Sequence, residues 1–176
     1  MATLIRPSQI NYVPSNFNLV SIADAIVTET TIASTSSKTT LYTFSVPAGT
    51  LSTNNILFVW IWGSFTNNSG SNSSVTTYLD YGATTLITSA ATSNFATAAT
   101  VYPFDLFASI KGDAATNAQK GYLRGTVGTQ DQSGYGTSAE DSTAAKSLTV
   151  SWKHSNNNAS TSVTSRVSLI TYHVNT

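Results

Sequence analysis

Residues 58–74 read F-V-W-I-W-G-S-F-T-N-N-S-G-S-N-S-S, and the fold turns on how this stretch is read. Side chains on a strand alternate between two faces. Phe58, Trp60 and Trp62 therefore share one face, and Leu57, Val59, Ile61 and Phe65 share the other. A strand apolar on both sides must be covered on both sides. One cover is the core of a sandwich. The face carrying Leu57, Val59, Ile61 and Phe65 is expected to meet a second cover, either the N-terminal segment or another copy of the chain. Beyond Phe65 the chain passes into Asn, Ser and Gly, so the strand ends in a polar loop.

Working outward, the chain from Lys38 onward alternates short β-forming runs with turn chemistry. T-T-L-Y-T-F-S-V ends at Pro47 and Gly49, and V-T-T-Y-L-D-Y turns through Gly82-Ala83 into T-T-L-I-T-S. Phe104, Leu106, Ala108 and Ile110 alternate on one face of a further strand, with Pro103 marking an edge or a bulge. The Gly/Ser/Thr-rich span 130–145 reads as a long loop. Leu148, Val150 and Trp152 share the inner face of K-S-L-T-V-S-W-K, and S-V-T-S-R-V-S-L-I-T-Y-H-V is the last strand. About eight strands, rich in Thr, Val, Tyr and Ile, predict an all-β, antiparallel, eight-stranded jelly-roll sandwich.

Residues 1–36 differ from this body, residues 37–176. They carry Pro7 and Pro14 among irregularly spaced Leu4, Ile5, Tyr12 and Phe17, which are expected to form an extended arm that docks on a partner. The competing reading is a leader followed by a first strand. Ser34–Lys38 reads as the hinge.

Composition narrows the function. Of 176 residues, 40% are hydrophobic and only 9% charged, with 8 basic residues balancing 8 acidic ones. A neutral surface argues against nucleic acid, whose phosphates need a basic footprint, and against an anionic membrane. The absence of cysteine excludes disulfides and thiolate chemistry. The N-terminus has no signal-peptide pattern, so synthesis in the cytoplasm without export by the general secretory route is expected, and no apolar run reaches the length of a membrane span.

The residues offer little catalytic chemistry. His154 and His173 stand at strand ends with no ligand-spaced neighbour, and are expected to be exposed or interfacial. The eight carboxylates show no spacing that pairs two of them. Glu140-Asp141 reads as a hydrated loop or helix cap, and G-T-V-G-T-Q at 125–130 opens no helix, so it cradles no phosphate. No cofactor or metal and no enzymatic activity are expected. Trp152 reads as core. Tyr122 is a further aromatic able to stack on a sugar, and Tyr135, in the glycine-rich span, reads as an exposed loop residue suited to a glycan.

The runs L-Y-T-F-S-V-P-A-G-T-L (41–51), W-G-S-F-T-N-N-S-G-S-N-S-S-V-T-T-Y-L-D-Y-G-A-T-T-L (62–86) and A-E-D-S-T-A-A-K-S-L-T-V-S-W (139–152) resemble small accessory virion proteins of tailed bacteriophages. The resemblance spans about Lys38 to Val174. It implies a structural virion protein with a jelly-roll body, assembled as a homotrimer. On that footing the expected function is capsid decoration on the capsid exterior, with the arm gripping the major capsid protein or another virion protein. The alternatives are a tail-tip receptor-binding protein that reads a host glycan through loops 66–74 and 130–145, and a carbohydrate-binding sandwich module.

Overall fold

β-branched and aromatic residues dominate the runs between turns, and among the described residues every regular element they form is a strand. The computed structural model describes residues 19–26, 29–34, 36–51, 55–90, 92–96 and 100–174. The expected arm residues Leu4, Ile5, Pro7, Tyr12, Pro14 and Phe17 lie outside the described residues. In chain order the strands are β1 (Leu19–Ile26), β2 (Thr30–Ala33), β3 (Thr39–Val46), β4 (Ile56–Asn67), β5 (Ser73–Tyr81) and β6 (Thr84–Thr88). They continue with β7 (Thr92–Phe95), β8 (Thr100–Gly112), β9 (Gln119–Val127), β10 (Gln130–Ser138), β11 (Lys146–His154) and β12 (Thr161–Val174).

Two antiparallel sheets pack as a sandwich, as the sequence predicts. The larger runs β1-β12-β4-β8-β9-β10, with β2 also on β12; the smaller runs β3-β11-β5-β6, with β7 on β5. The chain crosses between sheets at β2–β3, through the residues read as a hinge, and again at β3–β4, β4–β5, β7–β8, β10–β11 and β11–β12. Two strands were not expected after Lys38. β7 is only four residues long, and β10 lies inside the span read as a loop. β1 and β2 share one edge of β12, pairing with Ser168–Val174 and Ser162–Ser165 respectively. Pro103 lies where β8 runs past the end of β9, whose pairing with β8 begins at Phe104–Val127. There its missing N–H breaks no second ladder.

Inward residues interdigitate between the sheets. Phe104, Leu106, Ala108 and Ile110 of β8 and Leu148, Val150 and Trp152 of β11 are buried as the alternation requires. Phe104 lies 5.2 Å and Phe65 6.1 Å, centroid to centroid, from Trp152.

β4 requires a correction. Leu57, Val59, Ile61 and Phe65 lie under neither an arm nor a second subunit; each is at most 2% exposed inside the chain's own core. Alternation separates two faces without saying which is inner. The smaller sheet decides it: Leu79 and Val150 close against Val59, Ile61, Leu106, Ala108 and Leu123, leaving a void of only about 10 Å³. Small and branched aliphatic side chains fill the narrow space between sheets. The aromatic set Phe58, Trp60 and Trp62 is turned outward.

The loop reading of 130–138 is corrected too. β10 is held by a full antiparallel ladder to β9, from Gln130–Val127 to Ser138–Gln119. Its glycines serve close approach. A Cβ at Gly136 would lie 1.7 Å from the Leu86 carbonyl oxygen, and one at Gly134 2.5 Å from Ile87 Cγ2. β10 thereby seats against β6, where the Ala90 N–H also donates to the Ser133 carbonyl at 3.1 Å. Glycine in a strand marks such an approach as readily as a turn.

Candidate functional site

The outer face of the larger sheet carries its exposed aromatic residues in register. Three rows cross β4, β8, β9 and β10. One is Phe58–Ser109–Tyr122–Tyr135, the next Trp60–Phe107–Arg124–Ser133, the third Trp62–Asp105–Thr126–Asp131. Each strand places alternate residues in the core, so these side chains emerge on one surface without any loop to position them.

The rows make an ordered surface. Trp60 is 44% exposed, and its indole N–H donates to Asp105 Oδ1. That bond fixes the ring about its long axis and leaves Asp105 Oδ2 accepting no hydrogen bond among the described residues. Trp62 meets Trp60 edge-on at 5.5 Å, and Phe58 stacks on Phe107 at 5.4 Å. The Arg124 guanidinium carbon lies 6.0 Å from the Phe107 ring centre. Arg124 makes no ion pair among the described residues. Trp60, Asp105, Phe107, Arg124, Thr126 and Asp131 line an open groove of about 700 Å³. It offers an exposed indole face, two carboxylates that accept, and a guanidinium that donates. Such a site suits a ligand with an apolar ring face and a hydroxyl-bearing edge.

Tyr135 is 64% exposed and belongs to this face, but on strand β10 rather than in a loop. It stands directly opposite Tyr122, which is 47% exposed. Sequence reading placed Trp60 on a face of its strand but read none of Trp60, Asp105, Phe107 and Arg124 as a site residue. The signal was present in the parity of β4, β8 and β9, but taking Leu57, Val59, Ile61 and Phe65 as the covered outer face hid it.

The other candidates fall away from this groove. The loop 68–72 is tied inward. Asn67 is buried and donates to the carbonyls of Ser71 and Phe95 at 2.9 and 2.8 Å, and Asn156 donates to Ser69 Oγ at 2.8 Å. His154 is fully buried beside Phe65, not exposed, and burial holds its imidazole below the usual histidine range. Its place at the end of β11 looked like a surface position, yet the side chain points into the core layer. The side chain of His173 lies outside the described set. Glu140 is a latch. Its carboxylate accepts from the Ala83 N–H, from Thr84 Oγ1 and from Lys146, all at 2.9 Å. The Lys146 bond leads in holding its pKa below the usual carboxylate value. Gly82, at φ +62°, turns the hairpin over this carboxylate, where a Cβ would come within 2.5 Å. Asp141 accepts from the Thr143 N–H and Oγ1, as an ordinary turn residue does. Burial, with Glu140 and then Asp141 adding to it, pushes the Tyr81 phenol up to about 12. Among the described residues no three His, Asp or Glu side chains gather as a metal site would require.

No protein-family model and no curated protein matches the chain. Among solved structures it is similar to the CBM2 module of the evolved Dit of Lactobacillus casei BL23 phage J-1. The two share 12% identity at a TM-score of 0.38, over 76% of this chain and 70% of that one.

Proposed function

We propose that the chain is a saccharide-binding β-sandwich of a tailed-phage virion, which engages a host-surface glycan through the outer face of its larger sheet. One observation carries the reading: Trp60, oriented by Asp105, stands exposed in a groove with Arg124 and Asp131. A pyranose stacks an apolar face on an indole, while its equatorial hydroxyls donate to carboxylates and accept from a guanidinium. A protein partner of an apolar patch would favour fewer uncompensated charges at its centre. The virion setting rests on the resemblance spanning Lys38 to Val174. Capsid decoration by a homotrimer has less support. It asks residues 1–36 to grip a shell, whereas residues 19–26 and 30–33 pair with β12 of the same chain.

The test is binding of the purified protein to a broad glycan panel and to host cells, beside its Trp60→Ala variant. Saccharide binding that falls at least tenfold in the variant, with an unchanged melting temperature, supports the reading. No glycan or cell binding, together with hundreds of copies per particle, would favour capsid decoration instead.

A further inference from the structure

The groove occupies only part of the aromatic face. Beyond it, Tyr122 and Tyr135 are paired directly across β9 and β10, one row along from Trp60. Among the described residues they are the most exposed aromatic side chains on this face, at 47% and 64%. Between the two patches lie Ser109, beside Tyr122 in one row, and Phe107 and Arg124, beside Trp60 in the other. The Ser109 hydroxyl and the Arg124 guanidinium can bond to what lies over them. Tyr122 stands two strand spacings and Tyr135 three from Trp60, and the rows are offset by two residues, so the tyrosine pair lies roughly 12–16 Å from Trp60. That is far longer than one sugar ring and roughly the length of a tri- or tetrasaccharide. All four strands belong to one sheet, so the separation is rigid.

Resting on the glycan reading, we infer that the ligand is a linear oligosaccharide laid across the strands. One sugar stacks on Trp60 in the groove, and a residue further along the chain stacks on the Tyr122–Tyr135 pair. A terminal monosaccharide would need the groove alone and would leave the tyrosines without a role. A second copy of the chain would instead have to bring a complementary flat face against Asp105, Asp131 and Arg124 together, and those charges would be desolvated without built partners.

The experiment uses calorimetric titration of the full chain with gluco-, chito-, galacto- and manno-oligosaccharide ladders of one to six residues. Affinity is expected to climb with length up to three or four residues and then level. The double variant Tyr122→Ala/Tyr135→Ala should lose about tenfold in affinity for the longer members, the scale of a stacking contact at the centre of an interface. It should bind the shortest active member as the parent does. Trp60→Ala should weaken every member. Thermal melts show whether each variant is folded. Should the double variant be unstable, Tyr122→Phe/Tyr135→Phe, which keeps the ring faces, should retain the length dependence. Length-independent affinity, or a folded double variant that binds long members like the parent, would overturn the extended site while leaving a glycan-binding groove. Failure of every ladder and of the glycan panel would overturn both.

Discussion

Gly136→Ala separates a strand from a loop at residues 130–138. In a solvated loop the added methyl meets water and costs little, or even stabilises by restricting the unfolded chain. In the structure the new Cβ would lie 1.7 Å from the Leu86 carbonyl oxygen and 2.9 Å from the Leu86 carbonyl carbon. Both atoms are backbone, so no side chain can rotate away. The contact must open by more than an ångström, and β10 is tied on its other side to β9 along its whole length. Overpacking of this kind costs about 3 kcal/mol, at the upper end of what an inserted methylene imposes. For a domain of this size that lowers the melting temperature by roughly 6–12 °C. The assay is a thermal melt followed by circular dichroism, with Thr137→Ala, an exposed neighbour on the same strand, as control. The control should melt within about a degree of the parent, as surface changes usually do. A Gly136→Ala melt equally close to the parent would refute the seating of β10 on β6.

Acid should destabilise the protein in two windows. Burial lowers the His154 pKa below its ordinary 6.5. The unfolded chain then binds the extra proton first, and stability present above that value declines as pH falls through it. Glu140, lowered from 4.5 chiefly by its Lys146 bond, contributes stability above that value that is lost as pH falls further. A pH series of urea midpoints should therefore fall below pH 6.5 and again below 4.5, and Glu140→Gln should flatten only the second fall. At neutral pH the same variant weakens a charge-assisted anchor that is partly screened by solvent. It should cost about 1 kcal/mol, read as a loss of a few degrees in melting temperature. Deleting residues 1–33 removes β1 and β2 and bares the outer edge of β12. Light scattering should then report aggregation that deletion of residues 1–18 does not cause.

The sequence announces a β-sandwich because its signals are local. Alternation placed Phe104, Leu106, Ala108 and Ile110, and Leu148, Val150 and Trp152, on faces that the structure buries. Gly82-Ala83 marked the hairpin it forms. What was illegible depends on a second element. The two apolar faces of β4 are symmetric under alternation, and only the smaller sheet, packed on Leu57, Val59, Ile61 and Phe65, distinguishes them. Gly134 and Gly136 have the composition of a loop, and their purpose appears only once β6 lies against them. His154 stands at the end of a strand, where exposure is the ordinary expectation, and β5 and β4 close over it. The site was hidden for the same reason. Asp105, Phe107 and Arg124 are unremarkable in sequence, and they converge only when β8 and β9 fall into register beside Trp60.

The inversion of β4 also accounts for the composition of the strand. If Phe58, Trp60 and Trp62 were core residues, their size would force the sheets apart around neighbours as small as Ala108 and Val150. Turned outward, they can be large because they do not have to fit between the two sheets, and Phe107 and Asp105 hold two of them in place. An aromatic face that only needed covering would gain from Leu or Ile at positions 105 and 131. Aspartates there lower the apolar area and supply acceptors beside an oriented indole. The strand is thus apolar on both sides for two different reasons. One side closes the sandwich, and the other presents a rigid stacking surface whose polar partners sit one strand and three strands away.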